Sequence, residues 1–260
     1  MGGLEIVDTS AHDIHNYKLC AYKNIKQEGY KRKIEWLKLR FSEGLKLKVL
    51  YSADEGAVGV IEYIPGEYTW RAVEANGYMV IHCIFNEYRK YRGQGYGTLL
   101  VEESLRDAKK GNMHGVAVVT RKGTWMVGEG LFLKNGFEVI DSAPPDFELL
   151  TKQFDNSPLP KFPRDWEKRC RQYGSGLTII RSDQCPYVTK SVKEITETAE
   201  KQYGITPNVV ELENCRDAQN APSAFATFSI VYGGRLVAEH PISNKRFTNI
   251  MDKEVRRHVA

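Results

Sequence analysis

A glycine-rich loop carries the strongest chemical signal in this chain. Tyr88-Arg89-Lys90-Tyr91-Arg92-Gly93-Gln94-Gly95-Tyr96-Gly97 lies between an apolar run and an amphipathic segment. Glycines let the backbone turn tightly and meet a ligand without an intervening Cβ. A helix beginning there turns its unpaired first-turn N–H groups toward the loop, and its dipole favours an anion. Together these features suit a pyrophosphate. Arg89 and Arg92 add charge-assisted hydrogen bonds to phosphate. No Lys-Ser or Lys-Thr follows the last glycine, and the loop does not read G-x-G-x-x-G. It is therefore neither a Walker loop nor a dinucleotide fingerprint. The second chemical feature is thiol. Five cysteines stand at positions 20, 83, 170, 185 and 215. The odd count, the wide spacing and the lack of C-x-x-C argue against a disulfide framework and against a zinc knuckle.

Hydrophobic patterning supplies the elements that must hold these residues. Leu4–Thr9 reads as a strand, and Tyr30–Phe41 sets Ile34, Leu37, Leu39 and Phe41 among basic residues as an amphipathic helix. Leu45–Ser52 and Ala57–Tyr63 read as a hairpin joined through Asp54-Glu55-Gly56. Gly77–Phe85 is an almost unbroken apolar run, as in a strand buried on both faces. The glycine loop follows it, then a helix over Gly97–Lys110 and a buried strand Val116–Thr120. Met126–Lys134 reads as a short helix stopped by Asn135-Gly136. Phe137–Asp141 and Asp146–Phe154 read as closing strands.

Three prolines in Ser157-Pro-Leu-Pro-Lys-Phe-Pro163 then mark a boundary. Beyond it come strand Leu177–Arg181, helix Val188–Tyr203 and strand Asn208–Glu213. Strands Phe225–Tyr232 and Arg235–Glu239 flank Gly233-Gly234, a two-residue hairpin signal, and a helix over Asn244–Arg257 ends the chain.

Composition narrows the classes. Of the 260 residues, 42% are hydrophobic and 27% charged, which fits a soluble globular protein. No apolar run nears the roughly 20 residues of a membrane span, and the N-terminus lacks a secretory pattern. Residues 1–155 carry 21 basic and 21 acidic side chains, whereas residues 156–260 carry 16 and 12. Much of that basic excess sits in Lys161–Arg171, which reads as a solvated connector rather than a nucleic-acid patch.

The residues around the loop resemble a known family. Arg92-Gly93-Gln94-Gly95-Tyr96-Gly97 is similar to the coenzyme A loop of GNAT acetyltransferases, Gln/Arg-x-x-Gly-x-Gly/Ala. Asn86-Glu87-Tyr88-Arg89 resembles the approach to that loop, and Leu131-Phe-Leu-Lys-Asn-Gly-Phe137 the family's closing helix-to-strand segment. The resemblance implies a fold of the α/β (α+β) class, a mixed, mostly antiparallel sheet with flanking helices over residues 1–155. It implies acetyl-CoA as co-substrate and direct attack of an amine on the thioester. The backbone of Cys83, Ile84 and Phe85 would meet the pantetheine arm. The loop from Arg92 through Gly93, Gln94, Gly95, Tyr96 and Gly97, with Thr98, would hold the pyrophosphate, aided by Arg89. The arm would lie where strand Tyr78–Phe85 splays from strand Val116–Thr120. Many relatives carry a Tyr before the closing Gly-Phe, as the acid that protonates the leaving thiolate. Phe132 stands there and cannot donate, which leaves Tyr96, Ser142 or water as the acid, unaided departure of the thiolate, or slow or absent transfer. Glu62 and His82 would border the cleft as candidate bases. Their plainer readings are a solvent-facing strand residue and a satisfied core histidine.

Leu177-Thr-Ile-Ile-Arg-Ser-Asp-Gln-Cys185-Pro186-Tyr187-Val188 resembles the active-site turn of thioredoxin-like and glutaredoxin-like proteins. Ala221-Pro222-Ser223 resembles the turn where those proteins carry a cis-proline, and residues 220–237 look like the tail of YoaP-like proteins. The resemblance implies a small thioredoxin-like domain over 175–260, joined by a linker over 156–174. Cys185 at a helix N-terminus would favour its thiolate. Val188 occupies the place of a second motif cysteine, so a self-contained dithiol cycle is excluded. Cys185 is either a catalytic monothiol or a relic in a packing module. The resulting expectation is a cytoplasmic N-acetyltransferase acting on a small-molecule or protein amine, without metal, nucleic-acid or membrane partners. The rival reading is a coenzyme A-binding recognition protein with a monothiol module.

Overall fold

The computed structural model describes residues 4–20, 22, 24–86, 91, 93–123 and 125–259. Two sheets organise the chain. The first has seven strands in the order β1-β2-β3-β4-β5-β7-β6. These are β1 Leu4–Asp8, β2 Lys46–Ser52, β3 Gly56–Pro65, β4 Tyr78–Asn86, β5 Gly115–Arg121, β6 Glu138–Ala143 and β7 Phe147–Gln153. Only β4 and β5 run parallel; the remaining pairs are antiparallel. This is the mixed, mostly antiparallel sheet expected from the sequence. The second sheet has four strands in the order β11-β10-β8-β9: β8 Leu177–Arg181, β9 Asn208–Glu211, β10 Phe228–Tyr232 and β11 Arg235–Ala238. Strand β8 runs parallel to β9 and antiparallel to β10, and Gly233-Gly234 turns the β10–β11 hairpin.

Strand alternation decides what each face buries. On β5, Val116 and Val118 face a helix, α2 (Tyr96–Lys110), where Leu100, Val101 and Leu105 complete one core. Ala117 and Val119 face the other way. They enter a cluster that continues through Phe162 to Ile179, Val188 and Phe228 of the second sheet. The two sheets therefore share an interior. Helix α1 (Glu28–Phe41) is wedged between them. Gly29 makes this approach feasible: a Cβ there would sit 2.2 Å from the Pro186 carbonyl oxygen. Arg32 Nε donates to Asp183 Oδ1 at 2.8 Å across the same seam.

Several expectations need correcting. The helix expected over Met126–Lys134 forms only as α3, Gly130–Lys134. Residues 125–128 are loop instead, and Trp125 adopts a φ of 77°. The presumed connector contains a helix, α4 (Trp166–Arg171). Its prolines are fastened to the first sheet's loops, since Glu74 and Lys161 exchange backbone hydrogen bonds of 2.9 and 3.1 Å. Lys161, Arg164, Lys168 and Arg171 are exposed, while Phe162 and Cys170 are buried. Helix α5 (Val188–Tyr203) forms as expected, and α6 (Cys215–Gln219) adds an unexpected turn capped by Asn214, whose side chain accepts from the Asp217 N–H. Strand β10 begins three residues late because Ala226 takes a φ of 58° in the turn before it. The cis peptide lies at Pro144–Pro145, not before Pro222. Helix α7 (Asn244–Val259) closes the chain.

A candidate active site between the two halves

Strands β4 and β5 pair only from Tyr78–Gly115 to Ile81–Val118. Beyond that register β4 continues to Asn86 and β5 to Arg121 without pairing to each other. The strands thus part, and the gap is a narrow cleft walled by Ile81–Ile84, Val118, Val119 and Phe132. The expected splay is present. In the chain the glycine loop follows β4 and leads into α2. Gly95 is the N-cap of α2 at φ 86°, a left-handed value that disfavours any side chain. A Cβ built on Gly93 or Gly95 would meet nothing within 4 Å, so the space above the helix start is open. Gly97 differs: its missing side chain makes room for Leu131 at 3.2 Å. Thr98 Oγ1 accepts from the Asn135 amide at 3.3 Å. Gln94 and Tyr96 complete the described part of the loop, with Tyr96 edge-on to Tyr91. Arg89 and Arg92 lie outside the described residues.

Inward, the cleft joins a cavity of about 470 Å³ lined by both halves. Glu62, His82, Cys83, Ile84, Phe85 and Cys185 all line it, so the candidate bases, the pantetheine-contacting strand residues and the thiol converge on one place. A bulge explains how His82 and Cys83, consecutive on one strand, both reach it. Glu62 pairs with Cys83 but Tyr63 pairs with Ile81, which leaves His82 as the extra residue. Bulges re-aim side chains in this way.

Glu62 is not solvent-facing; it is 2% exposed. Its carboxylate accepts from Lys33 Nζ of α1, from the Gln184 side-chain amide at 2.9 Å and from His82 Nδ1 at 3.3 Å. Burial alone would raise its pKa, but Lys33 and the His82 N–H hold it well below the usual carboxylate range. His82 Nε2 accepts the Trp70 N–H at 3.0 Å, with Thr69 Oγ1 at 3.1 Å. That leaves the ring proton on Nδ1, aimed at Glu62. Burial lowers the imidazole to about 4, and the Glu62 hydrogen bond only partly opposes it. Neither group is tuned near neutrality, where a general base works best. Their geometry fixes charge and dipoles.

Arg71 ties the two halves together. Its Nη1 lies 2.7 Å from Gln184 Oε1, 3.0 Å from Thr227 Oγ1 and 3.2 Å from the Phe225 carbonyl, while Nη2 donates to the His82 carbonyl. Burial lowers its pKa to about 10, with the Glu62 charge opposing. Thr227 also donates to Gln184 Oε1 at 2.7 Å. A continuous chain of hydrogen bonds thus runs from the turn before β10, through Gln184 and Arg71, to Glu62 and the bulge.

Cys20, Cys83 and Cys185 stand around the cavity. Burial pushes their thiols up to about 12, 12 and 11 respectively. Cys83 is accessible along the cleft yet closely enclosed by protein. Burial thus works against the thiolate expected at Cys185. The Tyr187 N–H lowers its pKa less than burial raises it, and Arg181 turns away to Asp183 and Thr189. Phe132 is 1% exposed and packs edge-on to Phe137 in the cleft. Ser142 is exposed beside Pro144 and Pro145, remote from the cavity lining. Tyr96 is also absent from the residues lining cleft and cavity. Among the described residues no cluster of three or more His, Cys, Asp or Glu could hold a metal ion. No helix among them is long and apolar enough to cross a membrane.

Residues 208–249 match the YoaP-like family model. A Bacillus subtilis (strain 168) protein named "Uncharacterized N-acetyltransferase YoaP" is 28% identical over 254 residues, covering 96% of this chain and 98% of its own length. The solved structures matched include a GNAT-family acetyltransferase from Staphylococcus aureus Mu50, 16% identical with a TM-score of 0.44 over 59% of this chain and 100% of that one. Another is the PaiA N-acetyltransferase of Thermoplasma acidophilum in complex with coenzyme A, 20% identical with a TM-score of 0.41 over 58% and 99%. A third is a GNAT-family acetyltransferase from Brucella melitensis in complex with acetyl-CoA, 17% identical with a TM-score of 0.39 over 61% and 93%.

Proposed function

We propose that this chain is an acetyl-CoA-dependent N-acetyltransferase of the GNAT kind, acting on an amine that enters the cavity between its halves. The observation that carries this reading is the parting of β4 from β5 into a cleft that joins the cavity lined by both halves. Gly93–Gly97 with Thr98 would hold the pyrophosphate at the helix N-terminus. The backbone of Cys83–Phe85 would guide the pantetheine arm, bringing the thioester to the cavity. The acceptor's nitrogen then attacks the carbonyl carbon, the carbon–sulfur bond breaks, and the coenzyme A thiolate and the amine exchange one proton through water. The protein's share is positioning. Phe132 offers no proton to the thiolate.

We assign residues 1–155 to the acyltransferase unit, 156–174 to the connection and 175–260 to a thioredoxin-like unit. The order β11-β10-β8-β9, the β8–α5–β9 crossover and the closing hairpin and helix support the last assignment. In this reading the second unit is a wall of the acceptor site. The protonated, enclosed Cys185 favours that role over redox exchange. Five free thiols fit a cytoplasmic setting.

Calorimetry with acetyl-CoA tests the loop. A Gly95→Val variant places a branched side chain where the ligand must approach and at a left-handed φ. Loss of binding, with acetyl transfer to amines in the wild type, is the expected result. Unchanged binding in a folded variant, or no transfer to any amine, overturns the proposal.

A further inference from the structure

Among the described residues, the charges lining the cavity do not balance. Its lining holds two fixed cations, Lys33 and Arg71, and one fixed anion, Glu62. All three are almost wholly buried. Glu62 is taken by Lys33. The hydrogen-bond partners of Arg71 are all neutral: three backbone carbonyls, the Gln184 amide oxygen and the Thr227 hydroxyl. His82 adds no charge, because Nε2 accepts the Trp70 N–H and the ring stays neutral near pH 7. The three cysteine thiols are held protonated by burial. Among the described residues of this wall one buried positive charge is left over, and buried charge is ordinarily paired.

Most of the remaining wall is apolar, including Leu19, Leu47, Val60, Met126 and Phe225. The volume, about 470 Å³, is that of a small-molecule site. Resting on the N-acetyltransferase reading, we propose that the acceptor is a small amine that also carries a carboxylate on an apolar body, as an apolar amino acid does. The carboxylate supplies the missing negative charge at the wall formed by Arg71 and Lys33. The apolar body fills the side formed by Leu47, Val60 and Phe225, and the amine is left to face the cleft beside Cys83. A bare apolar amine would instead bring a second cation to the same wall.

The test uses the full chain with coenzyme A present and three probes of matched shape: L-phenylalanine, phenethylamine and 3-phenylpropionate. Calorimetry should show both carboxylates binding about ten- to a hundredfold more tightly than phenethylamine, the range of a hydrogen bond to a charged group. In acetyl transfer, phenylalanine should be used and phenethylamine should not. Arg71→Lys should keep the preference, and Arg71→Met should abolish it. If Arg71→Met does not fold, the three-probe comparison on the wild type still decides. Equal or tighter binding of phenethylamine, or no binding of either carboxylate, overturns the inference. Coenzyme A binding is measured separately. Its absence would overturn the acetyltransferase reading, whereas its presence without the carboxylate preference overturns this inference alone.

Discussion

Replacing Lys33 by Met should expose how the buried carboxylate is held. Lys33 and Glu62 are 3% and 2% exposed at their side chains, and Lys33 Nζ is the cation bonded to that carboxylate. Removing one partner of such a pair costs about 3–5 kcal/mol, because the buried carboxylate loses the one cation bonded to it and Arg71 is bonded elsewhere. At roughly 2–4 °C per kcal/mol for a chain of this size, the melting temperature should fall by about 6–20 °C at pH 7. The pH dependence distinguishes this cause from lost packing. In the wild type the Glu62 pKa is depressed. Its contribution is therefore complete above the unfolded value of about 4.3 and lost as the pH falls through the folded value. In the variant burial is the largest remaining influence, and it raises the pKa. The native state then binds the proton more tightly than the unfolded chain, so stability rises as the pH falls toward 5. The deficit against wild type should be largest at pH 7 and shrink on acidification. Urea unfolding at pH 7 and pH 5 measures both values. A double variant, Lys33→Met with Glu62→Gln, should recover most of the loss, since neutralising both partners is often nearly neutral. A deficit below about 1 kcal/mol, or one independent of pH, would refute the reasoning.

Gly29→Ala should destabilise the contact between the halves by about 1–3 kcal/mol, because its Cβ would meet the Pro186 carbonyl at 2.2 Å. That outweighs the gain of up to about 1 kcal/mol in helix propensity, and urea unfolding should show it. Cys185 should alkylate at pH 7 roughly three hundredfold more slowly than an ordinary cysteine of pKa about 8.5, in proportion to its thiolate fraction. Its rate should climb until pH nears about 11, as mass spectrometry of iodoacetamide-treated protein can follow. A Phe132→Tyr change places a hydroxyl on the cleft wall and should raise kcat about a hundredfold, the low end of a positioned acid's contribution. An unchanged kcat in the folded variant would mean that protonation of the thiolate is not limiting.

Much of the fold was legible because period-2 and period-3.6 patterns were strong. The β4 run from Tyr78 to Phe85, helix α5 and the hairpin at Gly233-Gly234 appear close to where local patterning sets them. The failures share a cause. The helix expected to begin at Met126 does not form there, and Met126 and Val127 line the cavity with Trp125 instead. Tertiary packing there overrides propensity. Helix α6 was missed although Asn214 and Asp217 make an N-terminal cap, because five residues leave almost no apolar period to detect.

The site divides in the same way. The glycine loop before a helix was readable from local sequence, and the resemblance supplied the splay and the places of Glu62 and His82 beside the cleft. The burial of Glu62 was missed, because it comes from two partners distant in sequence, Lys33 and Gln184. A signal for Lys33 existed. Tyr30, Lys33, Ile34 and Leu37 fall at i, i+3, i+4 and i+7, so the lysine stands on the apolar face of α1. A charge at that position demands a buried counter-charge, and Glu62, inside the strand Gly56–Pro65, supplies it. Gln184 left no such mark, since an uncharged side chain disturbs no pattern. Its significance lies in adjacency: it immediately precedes Cys185, and it reaches the carboxylate on β3 that its neighbour's thiol only faces across the cavity. The Cys-Pro-Tyr turn therefore acts on the first half through the residue before the cysteine. A Gln184→Leu variant should weaken the hold on Glu62 and Arg71 together, whereas Cys185→Ser should leave both in place.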